Sequence, residues 1–173
     1  MRRNQLRWMG LAVILAFSTG VLAQTKTTET KKTESKPAPG KSESAAGLKY
    51  VATDDAPKAA GPYSQGVVAG GFLFCAGQTA RDPKTGEQVT GGIEPATERT
   101  LDNLEAVLKA EGLSFADVVK TTIFLTKSED FQPMNGVYGR RMGDSKPARS
   151  TVVVAGLPGN ALIEIEMIAR AKK

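Results

Sequence analysis

The sequence predicts an α+β domain in which one β-sheet carries two helices packed on one of its faces. Two observations lead to this prediction. The apolar patterns follow the order β, β, β, α, β, α, β, β, and residues 48–173 form a stretch long enough to bury a core. Strands interspersed with helices form sheets covered by a helical layer. The uncovered face of such a sheet needs a partner surface, which indicates an oligomer.

The predicted domain begins with three strands. "LKYVAT" predicts a short strand, and "YSQGVVAGGFLFCAGQ" predicts two longer ones. The pair Gly70–Gly71 lies between those two strands and is typical of a hairpin turn. "RDPKTGEQVTGG", which follows, predicts a loop because it is rich in turn-forming residues.

The next segment, "IEPATERTLDNLEAVLKAEG", predicts the first helix. Pro95 suits its first turn, and Gly112 suits the position just beyond its end. Three leucines with helical spacing form an apolar stripe that predicts the buried face: Leu101, Leu104 and Leu108.

The end of the chain is predicted to form strand, helix, strand and strand. "DVVKTTIFLT" predicts a strand, residues 130–142 a helix, and "STVVVAG" with "LIEIEMIAR" a closing hairpin. Two registers of that hairpin are open. One places Arg149 beside Glu166 and Thr151 beside Glu164, whereas a shift by one residue separates Arg149 from both glutamates.

Residues 1–23 predict a signal peptide. Three arginines precede the apolar run "WMGLAVILAF", and "VLA" places Ala23 at a cleavage point. The apolar run is shorter than the roughly 20 residues that span a bilayer. We therefore expect a periplasmic or secreted protein with no stable membrane insertion after cleavage. An uncleaved anchor is the alternative, and the adjacent arginines leave general and twin-arginine export both open.

Residues 24–47 predict a disordered, low-complexity tether, because they contain no large apolar side chain. The domain at 48–173 carries fifteen basic and fifteen acidic residues, so the net charge of +5 comes from the first 47 residues. A neutral domain lacks the basic surface that nucleic-acid binding needs. No nucleic-acid partner is expected.

The residue inventory narrows the possible chemistry. The chain contains no histidine, which excludes histidine-based triads, metal ligation and general bases. Its single cysteine, Cys75, lies in the apolar run "FLFCAG" and is expected to be a buried core residue. Any reaction must therefore use other side chains, the backbone or water.

Five segments together resemble the RidA/YjgF family of reactive-intermediate (enamine/imine) deaminases: "APKAAGPYSQGV", "FCAGQTARDPKTGE", "TLDNLEAVLKAEGLSFADVVKTTIFL", "PARSTVVV" and "IEIEMIA". The resemblance covers about residues 50–171. It implies a chorismate-mutase-like fold and a homotrimer with a site in each cleft between neighbouring subunits. It also implies hydrolysis of reactive enamines and imines to 2-keto acids and ammonia, without a metal or an organic cofactor.

The resemblance also implies roles for particular residues. Arg149 of "PARS" grips the substrate carboxylate, and Glu164, the first glutamate of "IEIE", orients the hydrolytic water. Four further residues are implied to line the pocket or bind the substrate, the last of them holding water through its backbone carbonyl: Tyr63, Gly77, Asn135 and Thr151.

The chemistry of these residue types agrees with that activity. A guanidinium binds a planar carboxylate through two parallel hydrogen bonds, and an imine needs only a positioned water and a weak base. We therefore expect hydrolytic deamination of 2-imino acids. The alternative is a non-catalytic module that holds a small carboxylate in the cleft between subunits. A nuclease or translation inhibitor, an activity sometimes ascribed to the family, is disfavoured by the neutral domain.

Overall fold

The structure is a computed structural model that describes residues 47–172. The predicted signal peptide and all but the last residue of the predicted tether lie outside this range. The elements in chain order are β1 (Lys49–Val51), β2 (Gly66–Ala69), β3 (Phe72–Thr79), α1 (Ile93–Ala110), β4 (Val118–Leu125), α2 (Phe131–Met142), β5 (Ala148–Val153) and β6 (Ile163–Arg170). This order confirms the predicted one. No helix within residues 47–172 is long and apolar enough to cross a membrane.

The six strands form one sheet in the order β1-β2-β3-β6-β4-β5. All neighbouring strands are antiparallel except β4 and β5, which are parallel. Alternate side chains of β3, β4 and β6 join those of α1 and α2 in one buried cluster. Both helices therefore cover the same face of the sheet, as the sequence predicts.

Local sequence signals explain the β2–β3 hairpin and helix α1. Gly70 and Gly71 have φ values of 56° and 83°, the left-handed conformation that a two-residue hairpin turn requires. The three predicted leucines of α1 are fully buried. Gly112, also left-handed at φ 67°, follows the end of α1 and confirms the predicted cap.

Cys75 lies in the core, as predicted, with only 6% of its surface exposed. Burial raises the pKa of its thiol to about 12. The side chain therefore remains a neutral thiol at physiological pH and acts as a small apolar residue.

The predicted closing hairpin is wrong. Strand β4 lies between β5 and β6, paired parallel with the first and antiparallel with the second. The physical reason is the β4–α2–β5 unit, because a helix crossing the face of a sheet returns the chain to a parallel neighbour. The nine residues 154–162 then carry the chain past β4, which a short hairpin turn could not do.

The sheet face opposite the helices carries large apolar side chains. Tyr50, Phe74 and Val152 are 46%, 45% and 43% exposed, respectively. The pairings of Tyr50 with Val67 and of Val67 with Phe74 place these rings on one face. An apolar surface of this kind agrees with the predicted need for a partner, and the homotrimer remains a prediction.

Candidate functional site

Arg149 and Glu164 lie on opposite faces of the sheet. Thr121 of β4 pairs with Arg149 on one side and with buried Met167 on the other, so Arg149 projects toward the helix-covered face. Phe124 of β4 pairs with Glu164, which therefore belongs to the open face. From the strand spacings, their Cα atoms are roughly 14 Å apart. Of the two registers that the sequence left open, the one that grouped Arg149 with the glutamates is therefore wrong.

Glu164 lines a cavity of about 570 Å³ that we call the Glu164 cavity. Its lining also includes Tyr63, Gly77 and Arg81. The structure thus brings together three of the six predicted site residues, namely Tyr63, Gly77 and Glu164. Arg81 was not predicted from the sequence.

Gly77 and Glu164 meet because strand β3 is irregular between Cys75 and Gln78, where its pairing with β6 shifts register. Such a bulge changes the direction of nearby side chains and brings backbone close to a neighbouring strand. A Cβ atom at position 77 would lie 2.8 Å from Cδ of Glu164. Only glycine leaves room for this carboxyl group.

The environment of Glu164 makes its carboxylate a better base. Burial raises the pKa of Glu164, and the negative charge of Glu166 raises it further. Glu164 forms no salt bridge with any residue between 47 and 172. A half-buried carboxylate facing a cavity can accept a proton from a bound water.

The segment that carries Tyr63 is fastened by Gln65, which sequence reasoning missed. Gln65 is 4% exposed, and its side chain accepts a hydrogen bond from the Thr53 N–H and donates to the carbonyls of Thr53, Ala56 and Pro57. A buried amide with all these partners fixes the loop before β2. This loop forms one wall of the Glu164 cavity.

Tyr63 is half exposed, and its hydroxyl accepts a hydrogen bond from the Ala60 N–H at 3.1 Å. The ring is therefore folded back on its own loop at the rim of the cavity. Its position agrees with the pocket-lining role that the resemblance implies.

Arg149 lines a second cavity, of about 490 Å³, that we call the Arg149 cavity. Its guanidinium donates to Oδ1 of Asn135 at 2.8 Å and lies 4.8 Å from the centre of the Tyr138 ring. The predicted pair Arg149 and Asn135 is thus in contact. Tyr138 was missed as a site residue, although its spacing of three from Asn135 places both on one side of α2.

Tyr138 is itself positioned by a hydrogen bond to strand β4 of the sheet. Its hydroxyl donates to Oγ1 of Thr121 at 3.1 Å, and burial raises the pKa of Tyr138, so the phenol stays neutral. The ring stacks against the guanidinium through a cation–π contact. Arg149 is therefore oriented before any ligand binds.

Thr151 lies two residues beyond Arg149 on β5 and lines neither cavity. Its hydroxyl oxygen is buried and has no hydrogen-bond partner among residues 47–172. Thr151 therefore shares the helix-covered face of β5 with Arg149 but lies outside both cavities.

The six predicted residues thus form two half-sites and one outlier. The Glu164 cavity and the Arg149 cavity share no lining residue. Because the sheet separates Arg149 from Glu164, one chain cannot place both groups on one small molecule.

Comparison with known proteins agrees with the fold. The family described as Endoribonuclease L-PSP matches residues 53–171. The crystal structure of a Thermotoga maritima protein is 56% identical, with a TM-score of 0.69, and the match covers 72% of this chain and 98% of that one. The chain therefore belongs to this family, the one that its RidA/YjgF motifs indicate.

Two other relatives carry informative names. Reactive Intermediate Deaminase A of Arabidopsis thaliana chloroplasts is 45% identical over 119 residues, which make up 69% of this chain and 64% of that protein. TdcF of E. coli, whose crystal structure contains bound serine, is 38% identical with a TM-score of 0.68, and the match covers 72% of this chain and 99% of that one.

Proposed function

We propose that this protein hydrolyses 2-imino acids and their enamine tautomers to 2-keto acids and ammonia. The site combines the Glu164 cavity of one copy with the Arg149 cavity of its neighbour. The observation that carries the proposal is that one cavity presents a carboxylate-binding group and the other presents a general base. Arg149 is oriented by Asn135 and Tyr138 to bind an acid group, and Glu164 offers a carboxylate without a salt bridge in the described chain. The relative named Reactive Intermediate Deaminase A supports the same activity.

The reaction needs only the substrate and one water molecule as reactants. Arg149 binds the substrate carboxylate through two parallel N–H donors and places the imine carbon next to a water. Glu164 accepts a proton from that water while the oxygen bonds to the imine carbon. The C=N π electrons move to the nitrogen, which takes this proton from Glu164 and gives a carbinolamine. Glu164 then accepts the remaining hydroxyl proton and passes it to the nitrogen as the C–N bond breaks and the C=O bond forms. Ammonia leaves, a carbonyl forms, and Glu164 is again a carboxylate.

Such a site is sufficient because the imine is already electrophilic. A positioned general base typically contributes about 10²- to 10⁴-fold in rate. The raised pKa of Glu164 moves the group toward the operating pH, where general bases work best. The reaction therefore does not need the histidine that the chain lacks.

The assembly and the location are parts of the same proposal. The apolar open face and the split site support an oligomer, and the resemblance specifies a homotrimer. The signal-peptide pattern of residues 1–23 supports action in the periplasm or outside the cell. In that setting the substrate is an imine formed or released outside the cytoplasm.

The direct test forms 2-iminopropanoate from alanine with an amino-acid oxidase and follows its loss with and without the purified protein. We expect acceleration that Arg149→Ala removes almost completely, while Arg140→Ala, on the exposed side of α2, retains it. No acceleration over buffer, or equal acceleration by Arg149→Ala, would contradict the proposal.

A non-catalytic carboxylate-binding module is the second candidate, and the serine bound to the relative TdcF favours it. Calorimetry with serine and with 2-keto acids separates the two candidates. Saturable binding that depends on Arg149, without imine turnover, would favour the binding module.

A further inference from the structure

Arg81 brings a cation into the Glu164 cavity that no acid in the described chain neutralises. Its side chain lines the cavity but forms no salt bridge with residues 47–172. The adjacent carboxylate of Asp82 is engaged elsewhere. It accepts the backbone N–H groups of Lys84 and Thr85 and lies 3.7 Å from Arg99.

The other charged groups of the cavity also leave Arg81 free. Lys58 is exposed and lies 3.6 Å from Asp54, with which it forms a salt bridge. Arg81 and Glu164 line the same cavity but form no salt bridge with each other.

The backbone of Arg81 is firmly positioned. It forms an isolated bridge with Gln88, and its carbonyl accepts a hydrogen bond at 2.8 Å from Asn103, which is 1% exposed. The guanidinium reaches the turn at Pro158–Asn160, where a Cβ on Gly159 would lie 3.4 Å from it. The absence of a side chain at Gly159 gives the guanidinium space beside the cavity.

A site assembled as proposed above contains two guanidinium groups, Arg81 of one copy and Arg149 of its neighbour, and one general base, Glu164. Arg149 of the neighbouring copy binds the carboxylate next to the imine, which leaves Arg81 without a ligand in any complex with a monocarboxylate. Guanidinium groups bind carboxylates strongly because they donate two parallel hydrogen bonds.

We propose that the preferred substrates are 2-imino dicarboxylates, the imines of acidic amino acids, and that Arg81 binds their second carboxylate. This inference rests on the proposed function for its catalytic part. The second carboxylate does not react, so the hydrolysis is unchanged and Arg81 acts on specificity. A dicarboxylate satisfies both guanidinium groups, whereas a monocarboxylate satisfies one.

The catalytic test compares kcat/KM for the imine of aspartate with that for 2-iminopropanoate, using the full chain. We expect the dicarboxylate to be preferred and Arg81→Met to lower the ratio of the two kcat/KM values by about tenfold or more, since a lost hydrogen bond to a charged group has that effect. Arg81→Lys should keep part of the preference. Lys84→Met, on the exposed loop nearby, should keep all of it.

A binding test separates this inference from the proposed function. Calorimetry compares 2-oxoglutarate with 2-oxobutanoate on the unmodified protein, so its outcome does not depend on any variant folding. Tighter binding of 2-oxoglutarate by the unmodified protein, without imine turnover, supports the inference and contradicts the proposed function. Turnover with no preference for dicarboxylates in either assay overturns the inference and supports the proposed function. Equal binding of both 2-keto acids without turnover overturns both.

Discussion

A Cβ atom on Gly77 would lie 2.1 Å from Oε1 of Glu164. The bulge in β3 brings this backbone against the carboxyl group, and the missing side chain leaves the space that Glu164 occupies. The φ angle of Gly77 is outside the left-handed region, so the backbone itself tolerates other residues. What glycine provides here is room for the side chain that we propose as the general base.

Gly77→Ala should therefore reduce activity without unfolding the protein. The methyl group displaces the flexible end of Glu164, and a displacement of about 1 Å at a reacting group can cost about a hundredfold in rate. We expect a loss of that size in kcat/KM for 2-iminopropanoate, with little change in the thermal midpoint. Gly156→Ala is the control because nothing lies within 4 Å of its Cβ position. Full activity of Gly77→Ala would show that Glu164 need not occupy its observed position.

Two inactive variants should restore activity when they are assembled together. Arg149→Ala keeps an intact Glu164 cavity, and Glu164→Gln keeps an intact Arg149 cavity. In randomly mixed oligomers each site draws one half from each of two copies, so about a quarter of the sites are intact. The measurement is imine hydrolysis after equal amounts are denatured and refolded together. The control is wild-type protein that is denatured and refolded in the same way. If it regains activity but the mixture of variants does not, the whole site must lie within one chain.

Removing the charge of Glu166 should extend activity to lower pH. The pKa of Glu164 is raised by burial and by Glu166, so at moderately acidic pH more of Glu164 is protonated than in a free glutamate. Because the carboxylate is the active form, activity is lost as pH falls through this raised pKa. Glu166→Gln lowers the pKa of Glu164, and the acid limb of the kcat/KM profile should move to lower pH. Glu129→Gln, before α2, should leave the limb unchanged, and a shift to higher pH in Glu166→Gln would contradict the assignment.

Arg141 should contribute more to stability than its neighbour Arg140. It joins α2 to α1 by hydrogen bonds to Glu98 and Asp102 at 2.8 Å and to Glu105 at 3.2 Å, and its side chain is 22% exposed. Arg141→Ala leaves three acidic groups facing one another, and we expect a loss of about 1.5–3 kcal/mol in the free energy of unfolding.

Arg140→Ala is the matched control for this experiment. Arg140 is 66% exposed and has one 3.5 Å contact with Glu98, so its removal should cost at most about 1 kcal/mol. Denaturant titration of both variants makes the comparison. Equal losses would mean that the Arg141 cluster contributes no more than a surface ion pair.

The sequence predicted the order and type of the elements because their signals are local. The leucine stripe of α1 and the glycine pair before β3 each act within a few residues. The pairing of β5 was mispredicted because it has two neighbouring strands in the chain, β4 and β6, and it pairs with β4 instead of β6. Nothing in the pattern of β5 distinguishes β6 from β4, whereas the helix between β4 and β5 does indicate a parallel pair.

The sequence indicated candidate site residues one by one but not their arrangement. The motifs identified Arg149, Asn135 and Glu164, yet which of them touch depends on strand register and on sheet faces. Tyr138 and Arg81 were missed because each acquires its role from residues distant in the chain. The Tyr138 ring contacts the guanidinium of Arg149, and the guanidinium of Arg81 lies beside the turn at residues 158–160.

Because the sheet separates Arg149 from Glu164, the proposed catalysis depends on the oligomer and not on the single chain. A single chain carries both Arg149 and Glu164 but cannot apply them to the same substrate molecule. The reaction rate should therefore fall more steeply than the protein concentration when the protein is diluted below the range in which it associates. If the proposed assembly is correct, newly made single chains are inactive until they associate.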